Sequence, residues 1–226
     1  MIRKIDDDEL EMVKEALAAN PLFSGLEEFY LDDLLEVGEL KYWPGGSQVI
    51  CEGDMGEAVY FIVSGRAKVT LYSEQGREIV LSVLKKGDMF GEMSIMDEKP
   101  RSANVETVKE LKCLVVRKDA FLKYLGVHHR VYRTMFAYLT TRLREATRKI
   151  GGLALLDVCG RIAHTLIGMA KPSEDDQIVT IERPTHEELA AMIGSSREVV
   201  SRALKKMSNE GYIKIEKKHI LLFLHQ

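Results

Sequence analysis

The run Phe90-Gly91-Glu92-Met93-Ser94-Ile95-Met96-Asp97-Glu98-Lys99-Pro100-Arg101-Ser102-Ala103 holds the densest chemistry in the chain. Gly91 opens what reads as one turn of helix. The first turn of a helix has backbone N–H groups without intrahelical acceptors, and these suit an anion. Arg101 can add a bidentate clamp on a phosphate, and Ser102 a hydroxyl donor. Glu92 has the opposite bias, because a carboxylate repels phosphate but accepts well from a sugar hydroxyl. Together Glu92 and Arg101 point to a ligand with both ribose and phosphate. The same residues also fit a glycine turn followed by a surface Glu–Arg pair, and residue types alone do not choose between the two.

A second concentration lies near the C-terminus. Thr185 reads as an N-cap and Glu188, three residues on, completes a capping box. That helix stops at Gly194, and Ser195 or Ser196 can cap another, which gives the order helix, glycine turn, helix. Arg197, Glu198 and Arg202 share roughly one face of the second helix, opposite Val200, Leu204 and Met207. Arginine can read guanine O6 and N7, and glutamate can accept from cytosine N4. Lys205 and Lys206 suit phosphates. The alternative is an exposed helix with an Arg/Glu pair worth a few tenths of a kcal/mol. Tyr212–Ile215 and Ile220–Phe223 flank Glu216-Lys217-Lys218-His219 and read as a β-hairpin wing.

These residues need elements to hold them. The 226 residues have ordinary globular composition and a net charge of −3. Acid crowds the first forty or so positions, while base crowds Arg130 to Lys149 and Arg197 to Lys206, so an acidic total hides two basic stretches. No apolar run reaches the roughly 18 residues of a membrane span, and Met1 to Leu10 lacks a signal-peptide core, which predicts a cytoplasmic protein without membrane partners. The three cysteines, Cys51, Cys113 and Cys159, form no CxxC pair and read as small buried hydrophobes rather than a metal or disulfide set.

Residues 7–19 and 26–38 read as short helices. From Lys41, glycine-rich turns recur about every ten residues between the strand-like runs Val59–Val63, Ala67–Tyr72, Ile79–Leu84 and Leu111–Val116, a rhythm that predicts an antiparallel sandwich or roll. No histidine occurs between Tyr42 and Val116, which argues against a cupin-type metal site. No nucleophile–base–orienter set points to an enzyme. From Val131 to Leu153 the chain reads as one helix, and Leu139, Leu143, Ala146, Ile150 and Leu153 follow the spacing of a coiled-coil seam. Arg130, Arg133, Arg144 and Arg148 occupy the other face, which favours a seam between two chains over one buried within a single domain. Asp157 caps a further helix to about Ala170.

Phe90 to Ala103 resembles the phosphate-binding cassette of cyclic-nucleotide-binding domains, and Glu52-Gly53-Asp54 with Phe61-Ile62-Val63-Ser64-Gly65 resembles its upstream strands. Residues 185–206 resemble the recognition region of the cyclic-AMP receptor protein and fumarate-nitrate regulator family. Gly151–Lys171 is very close to the cyclic-AMP receptor branch. The resemblance runs in order over nearly the whole chain from Pro21. It implies an α+β protein: a cyclic-nucleotide-binding β-roll with N-terminal helices over residues 1–127, a dimerisation helix over 128–152, and a winged helix-turn-helix over 153–226. It implies a homodimeric transcription regulator with a cyclic nucleotide, cyclic AMP foremost, as allosteric ligand and no separate cofactor. Gly91, Met93 and Ser94 would lie against that ligand, Glu92 would accept from the ribose, and Arg101 and Ser102 would hold the phosphate. Arg142 and Thr147 would close over the base from the two subunits. Ser196, Arg197, Glu198, Arg202, Lys205 and Lys206 would meet double-stranded DNA at near-palindromic TGTGA-like sites, two recognition helices lying one turn apart.

The chain departs from that branch in two places. The spacing from Glu92 to Arg101 is one residue shorter, and Ala146 stands where the branch has a threonine that touches the adenine amino group. Alanine cannot hydrogen-bond a base, so cyclic GMP, cyclic di-GMP or a non-nucleotide signal stay open beside cyclic AMP, while residues 185–206 argue against a regulatory subunit without DNA binding. RNA polymerase is a further partner that the resemblance allows, although the loop Pro172–Gln177 is shorter than the polymerase-contacting loop. Gly151-Gly152, at the end of the seam, is expected to let the helix end fray without ligand.

Overall fold

The structure is a computed structural model that describes residues 7–76, 78–170 and 178–224, without the side chains of Asp7, Asp8 and Leu153. The chain divides into two compact units. One comprises the chain up to Leu71 and Leu81–Arg142, the other Tyr72–Val80 and the chain from Leu143 onward.

The first unit begins with helices α1 (Asp7–Ala18) and α2 (Phe29–Glu36). Strands β1 (Gly38–Trp43), β2 (Gln48–Ile50), β3 (Ala58–Ser64), β4 (Arg66–Tyr72), β5 (Glu78–Lys85) and β6 (Met89–Phe90) follow. A single helical turn, α3 (Met93–Met96), precedes β7 (Asn104–Thr107), β8 (Leu111–Arg117) and α4 (Lys118–Val127). One antiparallel sheet runs β1-β8-β3-β6 and the other β2-β7-β4-β5, as the turn rhythm predicted. β3 and β8 are apolar on both faces because each is covered twice. Val59, Phe61 and Val63 of β3, with Leu114 and Val116 of β8, face a core shared with α1, α2, α4 and the start of the long helix α5 (His129–Leu155). The alternate residues Ala58, Ile62, Cys113 and Val115 face the second sheet. Asn20, buried between α1 and α2, donates to the Gly87 carbonyl and accepts from Leu22 N–H, tying the helices to the β5–β6 turn.

The second unit contains the tail of α5, then α6 (Val158–Met169), β9 (Ile178–Glu182), α7 (His186–Ile193), α8 (Arg197–Asn209), β10 (Ile213–Ile215) and β11 (His219–Phe223). Asp157 caps α6 by accepting from Gly160 N–H at 2.8 Å. The expected two-stranded wing is a three-stranded sheet, β10-β11-β9. β9 turns only Val179 and Ile181 inward, too short an alternation to announce itself beside the acidic stretch that precedes it in the sequence.

α5 runs to Leu155, two residues past the expected Leu153, with Gly151 and Gly152 near its end. One further expectation needs correcting: Cys113 is buried, but Cys51 is exposed and is no core residue. Of the expected seam residues, Leu139 packs partly against the core of the first unit, whereas Leu143 and Ile150 are each 66% exposed and Ala146 is exposed. Leu153's side chain and the loop Pro172–Gln177 lie outside the described residues.

Candidate functional site

The cassette lies in the first unit as the connection from β6 through α3 to β7. A cleft of about 430 Å³ opens against it, and among its lining are Gly91, Glu92, Ser94, Arg101, Ser102 and Arg142. Met93 lines it too, and Ile50, Val69, Phe90 and Val105 supply an apolar wall. The residues read from sequence as phosphate and ribose partners are thus gathered in one place, together with Arg142 from α5.

Gly91 is fixed by geometry. Its φ is +83°, and a Cβ there would lie 2.7 Å from Arg101 Nη1 and 3.2 Å from the Ala58 carbonyl oxygen. That close approach lets the Arg101 guanidinium donate through Nη1 to the Gly91 carbonyl. Nη1 also donates to Ser94 Oγ at 2.8 Å, and Nη2 to the Ala58 carbonyl at 2.8 Å. Arg101, read from the sequence as a phosphate clamp, is thus buried and also bonded to the protein itself. Burial pulls its pKa down, opposed by the charges of Tyr60, Glu92 and Asp54. Its backbone is pinned as well: Arg101 N–H donates to the Asp54 carbonyl and Gly53 N–H to the Arg101 carbonyl. The segment Glu52-Gly53-Asp54 thereby holds the far end of the cassette.

Gly56, missed as a site residue by sequence reasoning, is equally constrained. A Cβ there would sit 2.1 Å from Ser94 Oγ and 3.2 Å from Arg101 Cζ. Nothing in the local sequence marks it, because the neighbours that crowd it come from α3 and beyond.

Glu92 is 4% exposed. Burial pushes its carboxyl above the ordinary range, while its own backbone N–H, Arg142 and Arg101 pull the other way. Arg142 donates to Tyr138 Oη at 2.8 Å, and Tyr138 Oη donates to the Met89 carbonyl at 3.0 Å. Burial raises the Tyr138 phenol to about 12, so it keeps its proton for that bond. Tyr138 is the second residue sequence reasoning missed; its one signal was its place four residues before Arg142 on one helical face. Ser102 lines the cleft with an exposed side chain. Thr147, expected to act from the second subunit, is exposed on α5, and its hydroxyl donates to the Leu143 carbonyl.

In the second unit α7 carries the predicted capping box, with Thr185 Oγ1 accepting from Glu188 N–H and the Glu188 carboxylate accepting from Thr185 N–H. Gly194 ends it with φ +62°, and Ser196 caps α8 by accepting from Val199 N–H. Val200, Ala203, Leu204 and Met207 pack α8 onto Ile162 and Leu166 of α6 and Leu189 and Ile193 of α7. That packing leaves Arg197, Glu198, Arg202, Lys205 and Lys206 on the exposed face. Arg197 Nη1 lies 3.7 Å from Glu187 Oε1 of α7, an acid that the sequence reading did not weigh. Glu198 is held below the usual carboxylate range by its own backbone N–H and by Ser196. The face can offer donors and one charged acceptor to base edges, with two lysines for phosphates.

Comparison with known proteins places both parts. Residues 40–128 match the model of the cyclic nucleotide-binding domain, and residues 160–224 match that of the Crp-like helix-turn-helix domain. The chain is 31% identical over 211 residues to the CRP-like cAMP-activated global transcriptional regulator of Mycobacterium tuberculosis, covering 92% of this chain and 94% of that one. It is 31% identical over 199 residues to the cyclic AMP receptor protein of Thermus thermophilus, covering 88% and 90%. Among solved structures, the c-di-GMP responsive global regulator CLP of Xanthomonas campestris superposes with a TM-score of 0.76 at 25% identity, covering 87% of this chain and 99% of that one. The gathered cassette, the exposed face of α8 and these likenesses lead to one conclusion: the chain belongs to the Crp-Fnr family of DNA-binding transcription regulators, which are not enzymes, and carries that family's cyclic-nucleotide-binding domain.

Proposed function

We propose that the chain is a homodimeric, cytoplasmic regulator whose β-roll takes a cyclic mononucleotide, cyclic AMP foremost, and that ligand binding governs its hold on TGTGA-like, near-palindromic DNA. The observation that carries this reading is the convergence of Glu92, Ser102, the Gly91–Ser94 turn and Arg142 on one cleft. The ribose hydroxyl falls to Glu92, the phosphate to the first-turn N–H groups, Ser102 and Arg101, and α5 is coupled to the cleft through Arg142 and through Tyr138, which donates to the Met89 carbonyl. A ligand that binds one packing of α5 better than another shifts the population toward it, which is the allosteric step.

Dimerisation is supported by the exposed stripe of α5. Phe136, Leu143 and Ile150 recur every seven residues and are 60%, 66% and 66% exposed, more apolar surface than a lone helix leaves in water without reason. Arg197, Glu198 and Arg202 are assigned to base edges, Ser196, Lys205 and Lys206 to phosphates, and RNA polymerase remains a further partner within this reading. A second reading takes cyclic GMP or cyclic di-GMP as the signal. It is favoured by Ala146, which offers no hydrogen bond to adenine, and by the structural likeness to a c-di-GMP responsive regulator.

Calorimetric titration of nucleotide-stripped protein with cyclic AMP, cyclic GMP and cyclic di-GMP tests both. Ser102→Ala serves as the site variant, since Ser102 is exposed and holds nothing else in place. Heat with cyclic AMP that weakens about ten-fold in the variant supports the first reading, a loss of the size expected for one charge-assisted hydrogen bond. Selective heat with either guanine nucleotide selects the second. Silence with all three sinks both.

A further inference from the structure

We infer that the second unit holds an anion site for a single phosphate group, built where the tail of α5 meets α6 and α7. A cleft of about 290 Å³ opens there, lined by Lys149 and Gly152 of α5, Arg161, His164 and Thr165 of α6, and Ile193 at the end of α7. Nitrogen donors converge on it from two helices, Thr165 adds a hydroxyl, and no carboxylate lines it among the described residues.

Arg161 supplies the observation that asks for a ligand. Its Nη1 donates to the Ile193 carbonyl at 2.8 Å, but its Nε is buried without an acceptor. Folded proteins seldom leave a buried N–H unpaired, least of all on a cation. Lys149 is held alongside by a 2.6 Å bond from Nζ to the Val80 carbonyl. Burial draws its pKa down, a shift that an anion in the cleft would oppose. A guanidinium edge, an ammonium and a hydroxyl around a small cleft match the several acceptor oxygens of a phosphate better than the two of a carboxylate. The site would also bear on DNA binding, because Arg161 secures the last residue of α7, just before the turn into α8. It uses none of the cassette residues, so it stands independently of the nucleotide reading.

The test is titration of the full chain, freed of nucleotide and phosphate, with orthophosphate and separately with adenosine 5′-monophosphate, read by calorimetry. Lys149→Met, Thr165→Val and Ser102→Ala are run beside the parent. Orthophosphate is expected to bind the parent and Ser102→Ala equally, and about ten-fold more weakly to Lys149→Met and Thr165→Val. The same pattern with the monophosphate, at higher affinity than orthophosphate, assigns a nucleotide; binding of orthophosphate alone assigns the free ion. Arg161→Gln should lose binding as well, although it also gives up the Ile193 bond, so the decision rests on the other two. Absence of binding to the parent, survival in both Lys149→Met and Thr165→Val, or loss in Ser102→Ala would each overturn the assignment.

Discussion

Replacing Arg101 with methionine should weaken the protein before any nucleotide is added. If this arginine served only a ligand, its loss would leave the empty protein untouched. The structure instead shows its guanidinium bonded to the Gly91 and Ala58 carbonyls and to Ser94 Oγ. Methionine keeps most of the apolar stem but strands both carbonyls. An unpaired buried acceptor costs about 1–3 kcal/mol. Some of that is returned because a buried cation no longer has to be desolvated. The net expectation is a loss of about 2–4 kcal/mol. With a urea dependence of about 1–3 kcal/mol per molar, the unfolding midpoint should fall by about 1–2 M. Trp43, the sole tryptophan, reports it directly, since it sits on β1 with its ring centroid 6.0 Å from that of Tyr60, itself beneath the Arg101 guanidinium. A ligand-free midpoint within about 0.3 M of the parent would refute the reasoning. It follows that loss of nucleotide binding in an Arg101 variant would not, taken alone, identify a phosphate ligand.

Gly56→Ala should disturb the same region by steric means, because its Cβ would lie 2.1 Å from Ser94 Oγ; about 1–3 kcal/mol of stability and about ten-fold in nucleotide affinity should go, measured by urea unfolding and calorimetry. Glu92 sets a pH dependence: its folded pKa is raised by burial above 4.5, so its contribution is complete below that value and is lost as pH rises through the folded pKa. The urea midpoint of Glu92→Gln should therefore gain on the parent between pH 5 and pH 8, and a pH-independent difference would count against it. Glu187→Gln removes the acid 3.7 Å from Arg197; DNA binding by fluorescence anisotropy should tighten about three- to ten-fold at low salt, and the gain should shrink as salt is raised. Gly152→Ala adds only an ordinary 3.9 Å contact with Leu156 and should stiffen α5 by about 1 kcal/mol, raising the DNA affinity of ligand-free protein; unchanged binding would show that this part of the helix does not limit the response.

Periodicity and punctuation revealed the framework because they report local preferences that the fold also uses. The apolar runs of β3 and β8, the capping box at Thr185 and the amphipathic α8 needed no knowledge of distant residues. β1 and β7 were harder to read, since Glu39 and Lys41, or Asn104 and Glu106, alternate with the few inward side chains and leave too little apolar signal. At the cassette the residue types were legible but their engagements were not. Arg101 meets Ala58 across 43 positions and Gly56 crowds Ser94 from another loop, contacts that only the folded chain creates. Ala146 was informative for what it lacks, and Glu187 passed unnoticed because its partner sits on the next helix.

Cys113 gives the protein a clock of its own. Its side chain is fully buried in β8, between β1 and β3, and burial raises the thiol well above its ordinary pKa. A thiol reagent needs both access and thiolate, so the native state denies it twice. Modification must wait for the central strand of the sheet to open, and where reclosing is fast its rate reports the population of that open state. Cys51, exposed on the same chain, supplies the reference rate for an accessible thiol. The ratio of the two rates, followed as a nucleotide is added, would read the tightening of the β-roll through the chain's own cysteines, with no substitution.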